Sequence, residues 1–148
     1  MSSYRQILFH IVFRTKDSKK SLPLDKSDEL YKYIWGIIKN KNGFLYRING
    51  MEEHIHILSD LHPSIALADY VRDIKTASSV WLKQSGNFPE FDGWGEGYAG
   101  LTYSWKDKDI IIGYIKNQRE HHKKWSFEDE YRKLLEDHGI KPDERFFP

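Results

Sequence analysis

Cysteine is absent from all 148 residues, which rules out disulfides, cysteine-ligated zinc and thiol nucleophiles together. Neither charge is in surplus: 23 Lys and Arg stand against 22 Asp and Glu, a net of +1. Attraction for a polyanion must therefore come from local clusters. Long hydrophobic runs are missing as well. The apolar run at residues 7–13 is too short to cross a bilayer, and no small-residue cleavage site follows it. Neither a signal peptide nor an anchor is read there, so no membrane partner is expected and the cytoplasm is the expected location.

Aromatic residues are plentiful, with five Trp, nine Tyr and eight Phe. Such rings serve a packed core or base stacking. Charge is unevenly placed: residues 126–148 hold seven acids and four bases, a net of −3, which leaves +4 on the rest. The length suits one domain over residues 1–148, and no repeat, low-complexity tract or linker divides it.

Alternation over residues 4–14 puts Ile7, Phe9, Ile11 and Phe13 on one face of a strand, with Leu8, His10 and Val12 on the other. Leu30, Tyr33, Ile34, Ile37 and Ile38 predict a helix over 28–42, after Asp25 or Ser27 as cap. Strands follow at 44–49 and 53–60, joined across Asn49-Gly50, a hairpin signal. A second amphipathic helix spans 65–84, with Arg72 and Lys75 on its wetter side. After a Gly-rich loop come a strand near 98–105, a helix over 107–123, and a last helix from Ser126, where Asp129 completes a capping pattern.

The order β-α-β-β-α-β predicts an α+β, ferredoxin-like (RRM-like) antiparallel sheet with helices on one face and two further helices appended. Strands one and three then lie side by side in the centre. Ile11, Ile55 and Ile57 face the helices, and His10, His54 and His56 are expected on the open side.

His54 and His56 are two apart on a strand, so they point the same way, roughly 6.5–7 Å apart at the backbone. Two imidazoles at that spacing can converge on one cation. On the helix over 107–123, Tyr114 and Gln118 share a face, with His121 and His122 a turn further on. Lys116, Arg119, Lys123 and Lys124 against Glu120 make this the most basic short stretch, where a phosphate backbone is expected to lie.

These segments resemble a known family. Asn49-Gly50-Met51-Glu52-Glu53-His54-Ile55-His56-Ile57 is similar to the HUH motif (His, bulky hydrophobic, His) of single-tyrosine transposases of the insertion-sequence-two-hundred type, relatives of the REP-associated tyrosine transposases. Residues 69–82, Gly97-Tyr98 with the strand after it, and Tyr114 to His122 resemble the family's middle helix, Gly-Tyr segment and catalytic helix. The resemblance implies that His54, His56 and Gln118 bind a divalent metal, Mg2+ or Mn2+. It implies that Tyr114 attacks single-stranded DNA and forms a 5′-phosphotyrosine link, and that the partners are hairpin-bearing element ends and a second copy in a homodimer. His10, His121 and His122 are accessory candidates; Arg72, Lys75, Lys116, Arg119 and Lys123 are candidate DNA contacts. Two departures stand out. The chain reads Gly97-Tyr98-Ala99-Gly100-Leu101 where the family often has Gly-Tyr-Gly-Ala-Phe, and Gly113 before the tyrosine is expected to loosen that helix by about 1 kcal/mol.

Two other classes compete. A non-catalytic RRM-like nucleic-acid binder stacks bases on aromatics of an open sheet face, but here that face carries Leu8, His10, His54 and His56. The other is a metal-dependent RNA or DNA phosphodiesterase using water; two-His phosphoesterases need two H-x-[ST] motifs, and His54, followed by Ile55 and His56, does not begin one. Gly95-Glu96-Gly97-Tyr98-Ala99-Gly100 formally matches G-x-G-x-x-G, but a strand is expected after it rather than the helix a dinucleotide site requires.

Overall fold

The computed structural model describes residues 3–145 and Phe147. Four strands, β1 (Phe9–Arg14), β2 (Leu45–Gly50), β3 (His54–Ser59) and β4 (Ala99–Thr102), form one antiparallel sheet in the order β2-β3-β1-β4. Strands one and three are central, as the topology predicts. Helices α1 (Ser27–Asn40) and α2 (Leu67–Ser85) cover one face. Their buried residues Leu30, Ile34, Ile38, Val71 and Ile74 pack with Ile11, Phe13, Ile55 and Ile57 of the sheet. Period two on the strands and period 3.6 on the helices select that interface.

The other face is not open. Helices α3 (Lys108–Lys116), α4 (Gln118–His121) and α5 (Phe127–Asp137) lie over it. Ile115 packs on Leu8 and Leu58, and Phe127 with Leu135 packs on Val12 and Ala99. His10, His54 and His56 are consequently 0 % exposed. This corrects the expectation that they face solvent: Leu8, Val12 and Leu58 make that side apolar enough to need a cover. Among the described residues, no helix is long and apolar enough to cross a membrane.

Local boundaries also differ from expectation. β1 begins at Phe9, and Tyr4 is almost fully exposed. Neither Asp25 nor Ser27 caps α1; a short 3-10 turn over Leu24–Lys26 leads into it and Ser27 is its first residue. Asn49 and Gly50 belong to β2, so the turn falls at residues 51–53, closed by Met51 N–H to His54 O at 3.0 Å. Gly50 is needed for a different reason than a turn. A Cβ there would lie 2.2 Å from the His54 carbonyl oxygen and 2.9 Å from Ile55 Cα, both backbone atoms unable to yield. Gly50→Ala is therefore expected to cost about 1–3 kcal/mol in a urea unfolding titration. Gly113 is the opposite case: it sits inside an intact α3 with nothing within 4 Å of where its Cβ would be.

The helix expected over 107–123 breaks at Asn117. The Asn49 side-chain amide on β2 donates to the carbonyls of Ile115 and Lys116, both at 3.1 Å. Those carbonyls would otherwise serve the next turn, so a side chain from the sheet ends α3 and turns Gln118 inward. The last helix begins as predicted, with Ser126 Oγ accepting from Asp129 N–H at 3.1 Å.

Candidate active site and metal centre

Glu130 is the hub. It projects from α5 into the histidine cluster and is 3 % exposed. Its Oε1 lies 2.9 Å from His122 Nε2 and 3.3 Å from both His54 Nε2 and His56 Nε2. Its Oε2 accepts from Gln118 Nε2 at 2.8 Å and from the Tyr114 hydroxyl. Gln118 Oε1 is 3.1 Å from His122 Nε2 and 3.2 Å from His54 Nε2. Ligand atoms of His54, His122 and Glu130 all lie within 4.8 Å of one another. Two imidazoles on β3, an amide on α4, an imidazole just past it and a carboxylate on α5 thus converge on one small volume. Nitrogen and oxygen donors in that mixture could hold a divalent cation.

A relay runs behind this hub. His56 Nδ1 is 2.8 Å from His10 Nε2, and His10 Nδ1 is 3.4 Å from the Tyr103 hydroxyl. Because the Glu130 carboxylate only accepts, His56 donates through Nε2, accepts at Nδ1 from His10, and His10 accepts from Tyr103. His54 differs: its Nδ1 meets Glu53 Oε1 at 2.6 Å while its Nε2 faces Glu130, so both ring nitrogens donate to carboxylates. The Phe127 ring stacks on it, 4.0 Å between centroids.

The family whose description is "Transposase IS200 like" matches residues 3–118. The chain belongs to that family. Two solved structures are similar to this transposase-family chain. One, from Deinococcus radiodurans R1 and provisionally described as a transposase, is 26% identical with a TM-score of 0.58, covering 80% of this chain and 95% of its own. The other is a REP-associated tyrosine transposase bound to a REP hairpin, 14% identical with a TM-score of 0.61, covering 96% and 89%. At that identity the second shares the fold. No curated protein gives a significant match.

Of the residues singled out from the sequence of this IS200-like chain, Tyr114, His54, His56 and Gln118 come together within one chain. His10, His121 and His122 join them, His122 at the centre. Glu130 was not foreseen, and it lies beyond the segment that the family matches. A signal for it exists: at three residues after Phe127 and four before Leu134, it is an acid on the apolar stripe of α5. The basic candidates fare differently. Arg72 is held between Asp69 at 3.1 Å and Asp73 at 3.4 Å. Lys75 donates to the carbonyls of Gly95 at 2.7 Å and Gly97 at 3.1 Å, bracing the Gly-rich loop. Both sit on α2, on the sheet face opposite Tyr114. Lys123 pairs with Glu120 at 3.0 Å, Arg119 reaches the Leu24 carbonyl at 3.3 Å, and Lys116 is exposed.

The cluster's protonation follows from its contacts. Burial alone would raise Glu130, but His56 and the hydrogen bonds from His122, His54 and His56 outweigh it and keep the carboxylate ionised. Burial lowers His10 well below 6.5 and also lowers His56. His54 is raised, because Glu130 and Glu53 outweigh its burial. Burial, then the Glu130 charge and hydrogen bond, push the Tyr114 phenol far above its ordinary value.

These shifts set a pH profile for the metal-free protein. Below 6.5 the unfolded chain takes up protons that buried His10 and His56 refuse, so stability falls with acidification. The raised His54 contributes stability below 6.5 that is lost as pH climbs through its folded value. The melting temperature is expected to peak above pH 6.5, between the ordinary histidine value and the raised value of His54, and His10→Gln to flatten the acid limb. A melting temperature that keeps rising toward pH 5 would contradict this assignment.

Proposed function

We propose that this chain is a transposase that cuts and rejoins single-stranded DNA with Tyr114 as the nucleophile. The observation that carries it is the meeting of the Tyr114 hydroxyl, the His54 and His56 imidazoles and the Gln118 amide around one ionised carboxylate. In the reaction, the Tyr114 oxygen bonds to phosphorus, the bond from phosphorus to the 3′ oxygen breaks, and the departing oxygen takes a proton from water to leave as a 3′-hydroxyl. The phenolic proton is directed at Glu130, the base within reach. The tyrosyl ester keeps the energy of the broken bond, so a second 3′-hydroxyl reverses the step without a nucleoside triphosphate.

His54, His56, Gln118 and Glu130, with His122 beside them, would hold a divalent metal. Once bound, such a cation supplies Lewis-acid polarisation of a non-bridging phosphate oxygen. The remaining work belongs to the chain. His10 takes a hydrogen bond from His56 Nδ1 when Nε2 must present a lone pair, and Tyr103 steadies His10 in turn. Glu53 does the same for His54. The cavity that reaches Tyr114 and Glu130 measures about 120 Å³ and is lined also by His121, Trp125 and Lys133. That is room for a few waters rather than a nucleotide, so the helical cover over Tyr114 must open for DNA to reach it.

The REP-hairpin complex of the similar structure supports DNA as the partner, with single-stranded, hairpin-bearing ends as the substrate. A homodimer remains part of the proposal, although Tyr114 meets the histidines of its own chain; elution at monomer mass in gel filtration would contradict the dimer. A cytoplasmic location fits access to DNA. The RRM-like binder is disfavoured because α3–α5 cover the sheet face that such modules use for bases.

The test is covalent capture. Incubating the protein with Mn2+ and labelled single-stranded DNA from the flanks of its own gene is expected to give a denaturation-resistant adduct. Cleavage without an adduct would favour a hydrolase using water.

A further inference from the structure

β2 is an edge strand, and three rings stand along its outer end. Phe44 is 60 % exposed and Trp105 is 52 % exposed, with Tyr46 between them at ring distances of 4.8 and 6.1 Å. Open grooves of about 460 and 390 Å³ flank Tyr46 on its two sides. Exposed rings in a row are costly to leave in water, and a patch of this kind marks an interaction site.

The charges around the rings select the partner. The Lys108 ammonium sits 4.2 Å over the Trp105 ring and 3.8 Å from the exposed Asp109 carboxylate. Arg47 and Lys39 line the larger groove. The Arg47 Nε is buried with no hydrogen-bond partner, and no carboxylate pairs with Arg47 among the described residues. The acid at the smaller groove, Asp60, is already taken by Arg5 at 2.9 Å. Stackable rings interleaved with Arg47 and Lys39, for which no carboxylate partner is found among the described residues, match the alternation of bases and phosphates in an unpaired strand. A second protein surface would be expected to meet these cations with acids.

The patch is also joined to the catalytic helix. Trp105 lies in the turn that leads into α3, and Tyr46 packs in the same cluster as Ile115 and Tyr114. From Trp105 to Tyr114 is nine residues, roughly 14 Å along a helix. Resting on the strand-cutting role proposed above, we infer that Phe44, Tyr46 and Trp105 form a stacking platform for unpaired DNA bases a few nucleotides from the phosphate that Tyr114 attacks. Arg47, Lys39 and Lys108 hold the intervening phosphates.

The experiment uses the full chain and a fluorescent, mixed-sequence single-stranded oligonucleotide that forms no hairpin. Phe44→Ala/Trp105→Ala is expected to weaken binding about tenfold or more by anisotropy, with a far-ultraviolet spectrum matching the parent. Arg47→Gln is expected to reduce the salt dependence of binding by about one unit of slope. An oligonucleotide carrying 5-bromodeoxyuridine is expected to crosslink to Phe44, Tyr46 or Trp105. Unchanged affinity in the folded double variant, with crosslinks elsewhere and the Tyr114 adduct undiminished, overturns the platform alone. A parent that dimerises and a double variant that is monomeric with DNA affinity intact also overturns it, and assigns the patch to a second copy. A parent that binds no single-stranded DNA and forms no adduct removes the strand-cutting role as well.

Discussion

Replacing Tyr114 with phenylalanine is expected to abolish the covalent protein–DNA adduct, lowering strand cleavage by at least about 10⁴-fold. The ring stays, so its contacts with His10 and His56, at centroid distances of 6.1 and 5.7 Å, survive. Only the hydroxyl that donates to Glu130 is lost, a change of about 1.5–3 kcal/mol for a hydrogen bond to a charged group. The fold should persist while the chemistry disappears. Tyr103 is the control: its hydroxyl lies 3.4 Å from His10 Nδ1, and burial pushes its phenol up to about 12. Tyr103→Phe should therefore still form adduct. An adduct that survives in Tyr114→Phe and vanishes in Tyr103→Phe would move the nucleophile to the relay.

The second large effect is expected at Glu130. Glu130→Gln keeps shape and removes charge. Mn2+ binding measured by calorimetry should weaken on the order of 100-fold, and adduct formation should fall with it. The variant also leaves His54 with its Nε2 donor facing a neutral group, so the metal-free protein should melt lower; breaking a buried charge pair costs about 3–5 kcal/mol at most. The reverse outcome is informative. If Glu130→Gln raises adduct yield while leaving metal affinity unchanged, the α5 carboxylate is an obstruction in the site rather than a part of it.

Much of this site is legible in short stretches of sequence. Side-chain direction on a strand repeats every two residues, so His54 and His56 had to point together, with Ile55 turned the other way into the core. On a helix, four residues return to the same face, so Tyr114 and Gln118 had to be neighbours; the break at Asn117 did not separate them. Ser126 capped α5 because an Oγ three residues from an N–H closes a short local ring. The central pairing of β1 with β3 followed from element order.

Other features had no local code. Asn49-Gly50 has the composition of a turn, yet the chain turns at 51–53, because Gly50 is held where β3 backbone approaches too closely for a Cβ. Lys75 looked like a free cation, but the Gly95 and Gly97 carbonyls enclose it.

Backbone geometry, which the sequence reads out over a few residues, determined the strands, the helices and the pairs of side chains that share a face. Which face was covered, and by what, was decided only in three dimensions: α3, α4 and α5 close over an apolar sheet surface and carry Glu130 into the midst of the histidines. Long-range packing minimises exposed apolar area over the whole chain at once, and no stretch of sequence records that balance by itself.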